Sequence, residues 1–351
     1  MHLWALIPHN AARNGPDFGP ISRQIIPEAS TLRTLLLVSI ALTLGVGTAA
    51  CSSNGNASGA NLVPPGQGTA NQRSIGPTGV WPYTKLHGWI LPDKSKKPLL
   101  YVSDEAYATV NIYSLPSYSQ IGQISGLYSP EGITTDKKGN LYVSSLHGYT
   151  VTVYKQGQTT PFLTLTDSNG PDDVAIAKND DVLVSDVAGG VDVYQPGQTM
   201  PFVRLTSGAI LHVNGVGVDA SNNVYAAGQD SRNSGVVVEY ANMSGGGTNL
   251  GLKGLTQPAG VLIDNHGNIV VSDFSSNLID IYAPGATAPS STISVNSPTH
   301  IGLNNRENRI YAPQGNKHAT EVLTYPGGSV IKTIAGGYFL SGAARSPAPV
   351  P

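Results

Sequence analysis

Between residues 86 and 337, short apolar runs alternate with clusters of Gly, Asn, Asp and Ser, the pattern of strands joined by tight turns. Residues 258–284 show it most clearly. Val261-Leu262-Ile263 and Ile269-Val270-Val271 flank the turn Asn265-His266-Gly267-Asn268, and a second turn leads into Leu278-Ile279-Asp280-Ile281-Tyr282. The phrase is written six times. Its second strands end at positions 104, 145, 186, 228, 273 and 314, in steps of 41, 41, 42, 45 and 41. Its third strands end in Tyr113, Tyr154, Tyr194, Tyr240, Tyr282 and Tyr325, in steps of 41, 40, 46, 42 and 43, and a fourth strand follows each tyrosine. Four short strands per repeat of about 40 residues predict an all-β fold, a six-bladed β-propeller of four-stranded antiparallel blades. The first repeat is the least regular. Its inner strand is expected in residues 86–93, with a strand from beyond Gly337 or before Trp81 as the alternative seal of the ring. A seventh blade would need residues 52–85, where strand signals are too sparse.

Composition narrows the class. Charged residues are only 12% of the chain, while Gly (41) and Pro (25) are plentiful, which fits a turn-rich extracellular β protein. The net charge is −2 and no basic run occurs, so nucleic acid is not an expected partner. One cysteine excludes an intrachain disulfide. Four segments are expected: a leader with signal peptide (1–50), an anchor cysteine and polar tether (51–80), the propeller (81–340) and a Pro-rich tail (341–351).

The repeats locate the candidate chemistry. In a propeller the first strand of each repeat lines the central channel, and the loops leading into it crowd the channel mouth. Trp89, Glu131, Asp172, Asp173, Asn214 and His300 stand at the aligned leading positions and are expected around one pocket. Oxygen donors with one imidazole can hold Ca²⁺ or a divalent metal that polarises a carbonyl. Asp172-Asp173 can equally form a turn, and Asn214 can bond its own backbone. The recurring Asp104, Asp186 and Asp273 read as structural clasps on backbone N–H groups. The six tyrosines read as packing between blades with hydroxyls near the rim. His147, His212, His266 and His318 read as surface residues, and Trp81, Tyr83 and Trp89 as an aromatic lip or the closing edge of blade one. No nucleophile elbow, phosphate loop or zinc pattern is present, so no residue is assigned to catalysis.

Pro130-Glu131-Gly132-Ile133-Thr134-Thr135-Asp136 with Gly139-Asn140-Leu141-Tyr142-Val143, and Pro258-Ala259-Gly260-Val261-Leu262-Ile263-Asp264 with Gly267-Asn268, resemble the NHL-type repeat. The resemblance covers residues 86–337 and implies a propeller whose relatives include lactonases, lyases and binding proteins. The gluconolactonase-like branch uses a Glu/Asn/Asp set for a metal, with its glutamate on the first blade; here that glutamate, Glu131, is on the second. At the N-terminus, the apolar run 34–46, the small residues Gly47-Thr48-Ala49-Ala50 and then Cys51 resemble a bacterial lipoprotein signal, with Thr48 where that family usually has an aliphatic residue. This implies lipidation at Cys51, export, and anchoring in the cell envelope at the periplasmic or outer surface. The expectation is a monomeric binding or scaffold module for a protein, small-molecule or glycan ligand, without a required cofactor. The alternative is a metal-dependent lactonase- or lyase-like enzyme.

Overall fold

The computed structural model describes residues 88–91 and 97–347. The leader, Cys51, the tether, Trp81 and Tyr83 lie outside the described residues. Six antiparallel sheets follow one another along the chain as the repeats predict. Blades two to six each run outward from an inner strand: Pro130–Thr135, Pro171–Ile176, His212–Val218, Pro258–Ile263 and Gly302–Leu303. Their second strands are almost wholly buried, because both sheet faces pack on neighbouring blades.

Blade one is assembled differently. Its inner strand comes from the far end of the chain: Leu340–Ser346 pairs antiparallel with Leu99–Asp104, matching Leu99 to Ser346 and Ser103 to Gly342. Of the two sources expected for the sealing strand, the one beyond Gly337 is used. The segment expected to form the inner strand instead contributes Trp89–Ile90, a fifth strand on the outer edge, paired with Gln123 and Gly122. Trp89 is therefore on the periphery and does not join the channel mouth. The strand also runs six residues into the segment expected to be a tail. Its sequence, LSGAARS, is mostly small residues without alternation, and all but Arg345 are buried because both faces are enclosed.

The turns keep the chemistry of the repeats. Asp136, Asp219 and Asp264 each accept two backbone N–H bonds across their hairpin, and each accepts the side-chain amide of the Asn four residues on. Gly139 and Gly267 take positive φ there, 82° and 77°. Between blades, Tyr194, Tyr282 and Tyr325 are buried and donate their hydroxyls to Thr166 O, Lys253 O and Asp264 Oδ2. Asp104 and Asp273 accept backbone N–H groups from Tyr107 and Tyr338, and from Gln257 and Ser276. Asp186 likewise takes a backbone bond from Ala188 and adds a two-pronged pair with Arg204.

Truncation after Gly336 removes the strand that completes blade one and uncovers Leu100, Val102 and Tyr101. The expected loss of stability is well above the roughly 1 kcal/mol of a typical point substitution. Thermal unfolding and protease sensitivity of the truncated chain would show it; an unchanged transition would refute the closure.

Candidate functional site

All six inner strands carry one extra residue at the same level, where they enter the sheet. The register skips between Pro130 and Ile133, Pro171 and Val174, Val213 and Gly215, and Pro258 and Gly260. The same slip occurs between Pro298 and Gly302 in blade six and at Ser341 in the closing strand. A bulge breaks the alternation of faces and re-aims the side chain it carries. The bulged positions are Ser341, Glu131, Asp172-Asp173, Asn214, Ala259 and the stretch around His300, one for each blade. Together they ring one mouth of the channel.

Serines one blade back hold this ring in place. Ser103 Oγ donates to Glu131 O at 2.5 Å, Ser144 Oγ to Asp172 O at 2.5 Å, Ser185 Oγ to Asn214 O at 2.9 Å, and Ser272 Oγ to Thr299 O at 2.6 Å. Each serine occupies the second-strand position just before the recurring Asp or its equivalent. Blade four has Ala227 there. The strands also approach closely: a methyl group on Gly132 would sit 2.1 Å from Asp173 Oδ1.

Within the ring the side chains divide into two sets. Asp173 is turned into the wall, its carboxylate accepting Val174 N at 2.8 Å and Val216 N at 3.1 Å. Asn214 lies along the wall and donates its amide to Pro258 O at 2.8 Å. Glu131, Asp172 and His300 act on one another at the channel mouth. His300 reaches across it: Nδ1 is 2.8 Å from Ser341 O, while Nε2 is 3.4 Å from Asn214 O and 3.7 Å from Asp172 Oδ1. Since His300 belongs to blade six and Asp172 to blade three, the pair bridges opposite sides of the ring. Beyond it, along the inner strands, lies a cavity of about 210 Å³ lined by apolar residues such as Ile133, Val216 and Val261 and by polar ones, among them Asp173, Thr135, Glu307 and Arg345.

Two residues not anticipated complete the mouth. Glu105 accepts Ser129 Oγ at 2.9 Å, and the same hydroxyl is 3.5 Å from Glu131 Oε1. Glu105 follows Asp104 at a position held in other repeats by Leu146, Val187 or Phe274, so its departure from the pattern was the available signal. Ser341 could not be placed before the closing strand was known. Around the acids stand aromatic pairs: the exposed Tyr107 and Tyr338 with centroids 6.1 Å apart, the half-buried Phe274 and Phe339 at 6.3 Å, and the exposed Tyr128 beside His147 at 6.2 Å.

Burial pushes the Glu131 carboxyl well above the usual carboxylate range, and the charges of Asp172 and Glu105 push it further; His300 and Ser341 pull it back. Asp172 is raised by burial and then by Asp173 and Glu105. Burial also raises Asp173, against the pull of His300 and the two N–H groups it accepts. Buried like charges with few compensating bonds cost stability, which makes the cluster a candidate functional site.

The metal expectation can be tested on these donors. Of the residues first grouped for it, Asp173 and the Asn214 amide are already engaged and Trp89 is elsewhere. Among the described residues, three His or carboxylate donor atoms come within 4.8 Å of one another at Asp264, His266 and Glu307, on the opposite face. There Asp264 is saturated by Asn268, His266 N and Tyr325, and Glu307 accepts Asn265 N. His147, His212, His266 and His318 are all exposed, as expected.

No protein family and no curated protein matches the chain in sequence. Among solved structures, it is similar to a chain of the nidogen/laminin complex, with 12% identity and a TM-score of 0.58 over 72% of this chain and 99% of that one. It is also similar to a functionally unknown protein from Desulfotomaculum acetoxidans DSM 771, with 14% identity and a TM-score of 0.53 over 72% and 99% of the two chains. At such identity the likeness is one of fold.

A carboxyl whose pKa is raised by folding binds its proton more tightly in the folded chain. The stability linked to that proton is complete below the ordinary carboxylate range near about pH 4 and is lost as pH rises through the raised value. Glu131→Gln removes the buried charge, so it is expected to raise the thermal stability of the protein at neutral pH. The gain should shrink as the pH falls toward about 5, followed by thermal unfolding. Destabilisation by Glu131→Gln at neutral pH would contradict this account.

Proposed function

We propose that this chain is an exported, lipid-anchored binding module of the NHL-like propeller type that engages its ligand at the bulged polar mouth, without catalysis. The observation that carries the reading is the convergence of one re-aimed residue per blade on that mouth, where Glu105, Glu131 and Asp172 crowd together at a cost in stability. The aromatic rings around the acids give a contact surface of the kind enriched in interfaces. One solved structure of similar fold comes from a protein–protein complex, which is in keeping with a propeller face that receives a partner. The apolar run 34–46 followed by Cys51 supports export and lipidation at that cysteine, which would place the module at a membrane in the cell envelope.

A second reading, a metal-dependent lactonase- or lyase-like enzyme, draws on one observation: Asn214 O and Asp172 Oδ1 both approach His300 Nε2. Bound-metal analysis of the purified full chain, with lactone hydrolysis assayed in the presence of Ca²⁺, Mg²⁺, Mn²⁺ or Zn²⁺, separates the two. The binding reading expects no stoichiometric metal, no effect of chelator on thermal unfolding and no turnover. Metal-dependent turnover lost in Glu131→Gln would replace it with the second. For the anchor, Cys51→Ser is expected to move the protein from the membrane to the soluble fraction; unchanged partitioning would refute lipidation.

A further inference from the structure

On the face opposite the mouth, one hairpin departs from the clasp chemistry of the others. Asp136, Asp219 and Asp264 each accept the side-chain amide of the Asn four residues on. In blade six the leading position is Asn304. Its Nδ2 donates to Asn308 Oδ1 at 2.8 Å, and its Oδ1 accepts the N–H groups of Asn308 and Arg309, each at 3.0 Å. The turn geometry is kept and the carboxylate is gone. The acid that remains in this hairpin, Glu307, is turned toward blade five, where it accepts Asn265 N at 2.9 Å.

This neutral clasp borders a cavity of about 470 Å³ at the seam between blades six and one. Three arginines line it, Arg306 and Arg309 from the blade-six hairpin and Arg345 from the closing strand, and among the described residues no carboxylate does. Nor does any of the three form an ion pair with a described residue. Two are nonetheless held in place, by uncharged acceptors. Arg309 Nη1 donates to Tyr118 Oη at 3.2 Å, and Arg345 Nη1 donates to Asn305 Oδ1 and, at 2.8 Å, to Pro347 O. A guanidinium has five N–H donors, so most of theirs stay unspent. Burial and Tyr118 push the Tyr311 hydroxyl up, while Arg345 and Arg309 both pull it down. The two guanidiniums therefore converge on one buried residue of the lining. Arg204 shows the opposite case, its charge spent on Asp186 and Asp192. Guanidiniums positioned by neutral groups keep their full attraction for an anion.

The lining also narrows the kind of anion. A carboxylate offers two coplanar oxygens and one charge, enough for one guanidinium fork. A phosphate monoester offers three acceptor oxygens and up to about two charges, which suits guanidiniums arriving from two elements. Asn305 and Asn308 add amide groups to the lining, and Leu115, Pro116 and Tyr311 give it an apolar wall. The volume lies within the roughly 300–1,000 Å³ of small-molecule sites and exceeds what a bare ion fills.

We propose that the seam cavity binds a phosphate monoester carried on a small organic group, with Arg306, Arg309 and Arg345 on the phosphate and Leu115, Pro116 and Tyr311 against the organic part. Such a phosphate can belong to a free metabolite-sized ester or to a lipid headgroup. The site is separate from the mouth and does not depend on what the mouth binds. Because one of its arginines sits on the closing strand and two on blade six, a bound phosphate also bridges the seam of the ring.

The test uses the full chain and four probes, glycerol 3-phosphate, short-chain phosphatidic acid, succinate and glycerol, followed by calorimetry and phosphorus NMR. Binding of at least one phosphate probe is expected, with glycerol silent and succinate weaker. Arg306→Gln removes an exposed side chain and should weaken binding about tenfold without altering thermal unfolding. Arg345→Gln should weaken it at least as much, with its unfolding transition as the control for folding. Arg232→Gln, which removes an exposed arginine from another loop, should leave binding unchanged. The phosphate probe should also raise the unfolding temperature of the unmodified chain and not that of Arg345→Gln. Phosphatidic acid that binds more tightly than glycerol 3-phosphate, and loses that advantage in Leu115→Ser, assigns the phosphate to a lipid headgroup; equal or weaker binding of the lipid assigns it to a free ester. Binding of neither phosphate probe, succinate binding as tightly as glycerol 3-phosphate, or affinity untouched by both Arg306→Gln and Arg345→Gln overturns the proposal.

Discussion

A ring of six sheets holds only if its last blade is fastened to its first, and here the fastening is backbone hydrogen bonding between segments at opposite ends of the propeller. Leu340–Ser346 completes blade one by pairing along Leu99–Asp104, so the two segments must find each other before the ring is whole. Loop-closure entropy opposes contacts of such sequence separation, and the rest of the ring must form enough local structure to bring the ends together. The seam also shapes the site. Its bulge exposes Ser341 O to both the backbone N–H and Nδ1 of His300, while Thr299 Oγ1 donates to Leu340 O at 3.0 Å. The residue that crosses the channel is therefore oriented by the strand that closes it.

The serine bonds extend that coupling around the ring. Each ties the second strand of one blade to the bulged carbonyl of the next, so local register and blade-to-blade spacing are set by the same contact. A carbonyl at a bulge has lost its ladder partner, and a buried one needs another donor. The serine hydroxyl supplies it. The mouth can then bear three crowded carboxyls because its backbone is over-determined, and the electrostatic cost falls on side chains that a ligand can compensate.

The two faces of the molecule consequently differ in kind. In blades two, four and five the hairpins between first and second strands are saturated by their own Asp–Asn clasps, and their charges are spent on turn geometry. The bulged face keeps carboxyl groups with few partners beside exposed tyrosines. Unused polar capacity, more than charge itself, distinguishes the candidate site from its surroundings.

Much of the fold was legible in the residues. A period near forty, alternating apolar runs and turn chemistry are local properties, so blade number, strand positions, the packing tyrosines and the role of Asp104 and Asp273 followed from the sequence. The site was legible only in outline. Leading positions of the repeats pointed to Glu131, Asp172, Asn214 and His300, but each bulge adds one residue, and one residue decides which face a side chain takes. Spacing therefore could not say that Asp173, and not its neighbour Asp172, would accept the backbone N–H of the adjoining blade. Nor could it place Trp89 on the outer edge, bring Ser341 to the mouth from the far end of the chain, or set Glu105 beside Glu131. Those placements depend on pairings between distant segments, whose register is chosen by how the whole ring packs.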